Sequence, residues 1–200
     1  MKKIIAIATG LLIIAGAIYG QAKSPRPYKF KSGIIEYKYS GDKTGTSTLY
    51  FDDYGMKSAM YSGLTIMGKT TQTRGKKKGN VEYSWKVEEG TKSGVKMEDS
   101  FMSWLEDNPN GNMASYLEET YKKMGIVKSG TEKFLEKECT LFKENNGKVL
   151  IWEGIIMLKE FKTGADVSRQ EATSVQTNVP VDPKYFDIPE DITFTDKSGS

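Results

Sequence analysis

Short stretches in which apolar and polar residues alternate follow one another through most of this chain, interrupted once, near the middle, by two helical segments. Ile35, Tyr37 and Tyr39 alternate with Glu36 and Lys38, the period of a strand with one buried face. Residues 46–51, 56–61 and 64–73 continue in the same style, and Asp52-Asp53-Tyr54-Gly55 closes a hairpin in which Gly55 is free to take positive φ. Val81, Tyr83, Trp85 and Val87 share one face of a further strand. Residues 98–107 then set Phe101, Met102, Trp104 and Leu105 at helical spacing, until Asn108-Pro109-Asn110-Gly111 breaks the helix. Met113, Leu117, Tyr121 and Met124 form the apolar stripe of a second helix, which Gly125 stops. Strands resume over residues 131–135, 139–143, 148–152, 155–161 and 167–179, with Asn145-Asn146-Gly147 as a strong hairpin signal. The order is about five strands, two helices and about five strands, with no helix between successive strands. It predicts a mainly β protein with two helices (α+β): a curled antiparallel sheet, a half-barrel of about ten strands, covered by a helix pair.

The two ends read differently. Met1-Lys2-Lys3 is a short basic start, residues 4–18 are apolar, and small residues follow at Gly20 and Ala22. That is the pattern of a secretory signal peptide cut after Ala22. An uncleaved anchor is the alternative, but an apolar run of about 15 residues is short of the ~20 that a spanning helix needs. No cysteine lies near the cut to carry an acyl anchor, so the expected location is the periplasm, with no stable membrane span after cleavage. Residues 23–32 form an extended lead-in around Pro25 and Pro27, and 33–195 form a single domain. The leader holds two lysines and no acids, so its removal takes the net charge from +3 to +1. Acids and bases then nearly cancel, which argues against a nucleic-acid partner. Arg74, Lys76, Lys77 and Lys78, set between Gly75 and Gly79, read as a solvated hairpin tip. The single cysteine, Cys139, cannot form an internal disulfide and reads as a small buried core residue.

Chemistry is constrained mainly by what is missing. With no histidine, the chain has no Ser-His or Cys-His nucleophile system and lacks the commonest zinc and copper ligand. It carries no phosphate-cradling glycine loop and no calcium loop, so no cofactor or metal is expected. Asp52 and Asp53, neighbours on the chain, belong to a turn and are poorly placed to share a proton or metal. What remains is apolar. A cavity set can be assembled from Met56, Met60, Met67, Tyr83 and Trp85 of the sheet, with Phe101, Trp104, Met113, Leu117 and Tyr121 of the helical cover. Methionine suits varied apolar surfaces, although the same stripes also make ordinary core.

Three phrases of the second half carry a resemblance: Gly154-Ile155-Ile156-Met157-Leu158-Lys159-Glu160 after Trp152, Glu171-Ala172-Thr173-Ser174-Val175 in the long strand, and the closing Asp182-Pro183-Lys184-Tyr185-Phe186-Asp187-Ile188-Pro189. Over residues 134–190 the chain resembles the LolA/LolB lipoprotein-carrier fold and exported families of the same plan. The resemblance implies a half-open barrel with a helical lid in its concavity, and a carrier of a lipid-like or other apolar ligand. The alternative is an envelope protein-interaction module that docks through a sheet edge or the lysine-rich segment. An enzyme working through a carboxylate pair is the third reading.

Overall fold

The computed structural model describes residues 25–164 and 166–198. The expected signal peptide, residues 1–22, lies outside them. Six strands come first: β1 (Gly33–Ser40), β2 (Lys43–Asp52), β3 (Lys57–Ile66), β4 (Lys69–Lys78), β5 (Val81–Lys86) and β6 (Ser93–Glu98). Two helices follow, α1 (Ser100–Asp107) and α2 (Met113–Lys123). The rest is β7 (Val127–Phe134), β8 (Lys137–Glu144), β9 (Gly147–Trp152), β10 (Ile155–Thr163), β11 (Asp166–Thr177) and a short β12 (Thr193–Asp196).

All twelve strands join one open sheet in the order β12-β6-β5-β4-β3-β2-β1-β11-β10-β9-β8-β7. Every pairing is antiparallel except β12 with β6. The chain meanders from β1 out to β6, crosses by way of the helices to β7 at the far edge, and returns strand by strand to β11, which pairs with β1. Short hairpins make such a meander the economical solution for consecutive amphipathic strands. No helix of the described residues is long and apolar enough to cross a membrane.

Twelve strands replace the expected ten because two short ones, β6 and β12, carry no clear strand signal of their own and pair with each other. In Ser93-Gly94-Val95-Lys96-Met97-Glu98 only Val95 and Met97 alternate with Lys96 and Glu98, a run too short to mark a strand by itself. The four residues of β12 become a strand only because β6 offers them an edge. The stretch 64–73 is divided between β3 and β4 by a turn at Met67-Gly68, where φ is 49° and 76°. The lysine-rich segment is also corrected. It is no hairpin tip: β4 runs through Lys78, paired with both β3 and β5, and the turn falls at Gly79-Asn80.

Both helices are capped as their sequences dictate. Asp99 accepts the Met102 N–H at 3.0 Å at the start of α1. Asn112 and Ser115 exchange bonds in a capping box on α2. The core falls into two clusters. One joins Ile35, Tyr37, Tyr39 and Phe51 to Leu141, Leu150, Met157 and Leu158. The other packs Tyr121 of α2, with Ile126, against Phe142, Val149 and Ile151. Both faces of β9 are therefore buried, as its unbroken Val149-Leu150-Ile151 run requires. Cys139 is fully buried, and burial pushes its thiol above its usual range.

Candidate functional site: a pocket on one face of β2–β6

Residues directly opposite each other in an antiparallel ladder share a face. The register therefore divides the first half of the sheet into two surfaces. On one, Leu49, Met60, Gly75, Ser84 and Val95 form a row across β2–β6, and Phe51, Ser58, Lys77, Glu82 and Met97 form the next. Leu64 and Ile66 lie further along β3 on the same side. A pocket of about 320 Å³ opens here, walled by Leu49, Ser58, Met60, Lys77, Glu82 and Met97, with Lys76 and Tyr83 also contributing to the wall. Ile66 and Met97 are 51% and 39% exposed.

One end of the pocket is charged. Lys77 reaches Asp99 at 2.9 Å, and the two side chains are only 7% and 3% exposed. The ammonium also lies 5.6 Å from the centre of the Phe101 ring. Asp99 is fixed from several directions: its N–H donates to the Asn80 carbonyl at 2.9 Å, and its carboxylate caps α1. Glu82 faces Lys77 across the strands but is not its partner. Burial, and then the negative charge of Asp99, raise the Glu82 carboxyl above its ordinary range, with Lys77 opposing. Tyr28 packs on Phe51 with ring centres 4.6 Å apart. Its phenol is pushed up to about 12, by burial first and then by Asp99 and Glu82. Both shifts arise first from burial, and the negative charge of Asp99 adds to each.

The opposite surface is closed by the C-terminal segment. Tyr185 stacks on Tyr50 at 3.9 Å, and the Tyr61 hydroxyl donates to the Tyr185 carbonyl at 3.4 Å. Lys76, 7% exposed, passes beneath this strap and donates to the Asp187 carbonyl. Phe194 of β12 then covers Tyr83 and Trp85.

The ten residues proposed from sequence do not converge on one cavity. Met60 lines the pocket, and Phe101 stands behind the Lys77 ammonium. Tyr83 also contributes to the pocket wall, but its ring, like that of Trp85, packs with Phe194 on the other surface, because strand period tells which residues share a face but not which way the face points. Met56 sits half-buried at the end of the β2–β3 connection, and Met67 is fully exposed at the tip of the next hairpin. Trp104 donates its indole N–H to Glu119 at 2.8 Å. Met113 lies near Gly154, while Leu117 and Tyr121 pack on the β8–β10 cluster, so the cover is occupied in holding α2 to the sheet. Sequence reasoning missed Lys77, Glu82 and Asp99. The signal was present in strand period: Lys77 and Glu82 fall on the same face as Leu49 and Met60 once β3, β4 and β5 are in register. Among the described residues no three His, Cys, Asp or Glu side chains converge as a metal site.

Fold and site together define an open, mostly antiparallel sheet protein with a partly apolar, charge-ended pocket on one face. No protein-family model matches the sequence. No curated protein matches it either. Among solved structures it is similar to an uncharacterised conserved protein from Thermus thermophilus, with a TM-score of 0.50 and 7% identity over 84% of this chain and 91% of that one. That likeness is one of fold alone. PNGF-II aligns with a TM-score of 0.40 and 12% identity over 84% of this chain and 32% of that one, a likeness too shallow to bear on fold or function.

Proposed function

We propose that this chain is an exported carrier of a lipid-like or other apolar ligand, held on the pocket face of β2–β6. The observation that carries the reading is the exposure of Ile66 and Met97 on the same face as a pocket walled by Leu49 and Met60. Large apolar side chains left in water beside a concavity are characteristic of a binding surface. In this reading the twist of twelve strands curls the sheet into a half-barrel with the pocket face inside, in keeping with the LolA/LolB resemblance, and the basic-then-apolar leader directs the chain to the periplasm. Each buried methylene of an acyl chain contributes about 0.8 kcal/mol, so a modest length of chain gives useful affinity. The test is native mass spectrometry of protein purified without detergent, followed by organic extraction. A co-purified lipid of defined mass is expected. A clean ligand-free mass, together with no uptake of an apolar fluorescent probe, refutes the carrier.

Docking of an envelope protein through a sheet edge is the second reading. It rests on β7, whose outer side pairs with no strand among the described residues. The bulge between Lys128 and Gly130 and the charge of Lys128 and Lys133 are features that discourage strand addition, and they rank this reading second.

A further inference from the structure

We propose that one end of the sheet is a docking face for an anionic membrane surface; on the carrier reading, this is where an apolar ligand enters and leaves. The strand order gathers six connections at that end. The β1–β2, β3–β4, β8–β9 and β10–β11 turns lie there, with the β5–β6 loop and the passage from α2 into β7. Three contacts tie neighbouring connections together. The Val167 carbonyl fills the space that a Cβ on Gly41 would need, Lys162 donates its N–H to the Asn146 carbonyl at 2.7 Å, and Val127 pairs with Lys143. Of the eight large apolar side chains exposed among the described residues, six belong to this end: Ile66, Met67, Val87, Met124, Val127 and Val167. Met67 is wholly exposed, and Met124 and Val127 are each 60% exposed. Leu135 is in the β7–β8 turn at the opposite end, and Met97 is on the pocket wall. Exposed apolar side chains scattered singly are ordinary, whereas their concentration at one end marks an interaction surface.

The charge around these side chains identifies the partner. Lys43 and Lys69 stand directly opposite Ile66 on its two neighbouring strands, Lys143 stands opposite Val127, and Lys122 lies in the last turn of α2 just before Met124. None of these four lysines makes an ion pair among the described residues. Residues 40–45, 64–71, 86–93, 122–128, 143–148 and 161–168, which make up this end, hold ten lysines and five acids, a surplus that favours an anionic partner. The apolar side chains project from separate connections with lysines between them, which suits a broad, deformable surface. Apolar tips enter the boundary between headgroups and acyl chains, while lysine stems lie along it and their ammoniums meet the lipid phosphates. Both ends of the described chain leave from the other end of the sheet. The Tyr28 N–H donates to the Tyr54 carbonyl beside the β2–β3 connection, and the Ser198 hydroxyl accepts the Glu98 N–H at the close of β6. The docking face is therefore unobstructed and separate from the leader. From it, Ile66 and Leu64 lead along β3 to Met60 in the pocket, a route for an acyl chain.

The test places an environment-sensitive fluorophore on the full chain at one introduced cysteine at a time, Cys139 being buried. Met67→Cys and Met124→Cys report on the docking face, and Leu135→Cys reports on the opposite end. Each is titrated with vesicles of phosphatidylcholine alone and of equal parts phosphatidylcholine and phosphatidylglycerol, with circular dichroism confirming the fold. Both docking-face labels are expected to shift to the blue with the anionic vesicles, and the shift to weaken as salt is raised, while the Leu135→Cys label stays unchanged. Adding Lys43→Gln and Lys69→Gln to the Met124→Cys chain is expected to weaken vesicle binding about tenfold. No shift at either docking-face label, or an equal shift at Leu135→Cys, overturns the docking face; the latter is the signature of attachment through the leader. Equal response to neutral and anionic vesicles, or unchanged affinity after the two lysine substitutions, overturns the anionic partner. Each of these failures leaves the carrier standing, because uptake of an apolar probe by the pocket is measured without vesicles.

Discussion

Replacing Lys77 with methionine keeps most of the aliphatic stem that packs beside Phe101 and removes only the ammonium. Asp99, 3% exposed, is then left without its counter-charge, with the negative charge of Glu82 close enough to act on it. Removing one partner of a buried ion pair costs about 3–5 kcal/mol, and the open side of the pocket places this case near the lower bound, about 3 kcal/mol. Asp99→Asn is a milder change for two reasons. Asparagine caps a helix as well as aspartate does, so the bond to the Met102 N–H survives. The freed ammonium also has Glu82 directly across the strand as a substitute partner, which limits the loss to about 1–2 kcal/mol. The double variant Lys77→Met with Asp99→Asn buries neither an unpaired cation nor an unpaired anion at that spot. It should therefore be more stable than Lys77→Met alone, with a coupling of about 2 kcal/mol. Urea unfolding followed by tryptophan fluorescence reads all three variants as midpoint shifts at unchanged slope. For a domain of this size the Lys77→Met loss corresponds to about 6–12 °C in Tm. If Lys77→Met stays within about 1 kcal/mol of the parent, or if the double variant loses the sum of the two single losses, the pair is not the buried, mutually dependent unit described here.

Two more perturbations probe the surroundings of the pair. The Glu82 carboxyl is raised in the folded chain, so folding favours its protonated form, and stability falls as pH climbs through and above the unfolded carboxylate value of about 4.3. Glu82→Gln should accordingly stabilise the protein at pH 7 and have no such effect near pH 3, where the carboxyl is protonated in both states; equal effects at the two pH values contradict the assignment. At the strap, a Cβ on Gly94 would come within 2.7 Å of the Phe194 ring and 2.8 Å of the Ser84 carbonyl oxygen. Gly94→Ala is expected to cost about 1–3 kcal/mol and to expose residues beyond 190 to limited proteolysis, because the ring can yield only by lifting β12; unchanged proteolysis would mean that β12 does not depend on this contact.

How far the sequence could be read depends on how local each determinant is. β1, β9, both helix starts and the stop after α2 follow from neighbours within a few residues: alternation around Tyr37, the unbroken Val149-Leu150-Ile151 run, the Asp99 and Asn112 caps, and Gly125. β12 has no such signal, since only the edge of β6, about a hundred residues earlier, makes those four residues a strand. The lysines state the limit most sharply. Lys76, Lys77 and Lys78 are identical in side chain and adjacent in sequence, and local reading assigns all three to solvent. The pleat sends Lys76 and Lys77 to opposite faces. Lys76 is then enclosed by a strap whose Asp187 carbonyl is 111 residues further on, and Lys77 by the carboxylate that begins α1. Lys78 alone remains exposed. Two of the three lysines are thus buried by partners that exist only once the sheet is assembled. The charge that distinguishes this pocket from an ordinary patch of core is a property of register, carried by Lys77, Glu82 and Asp99 together and by none of them separately.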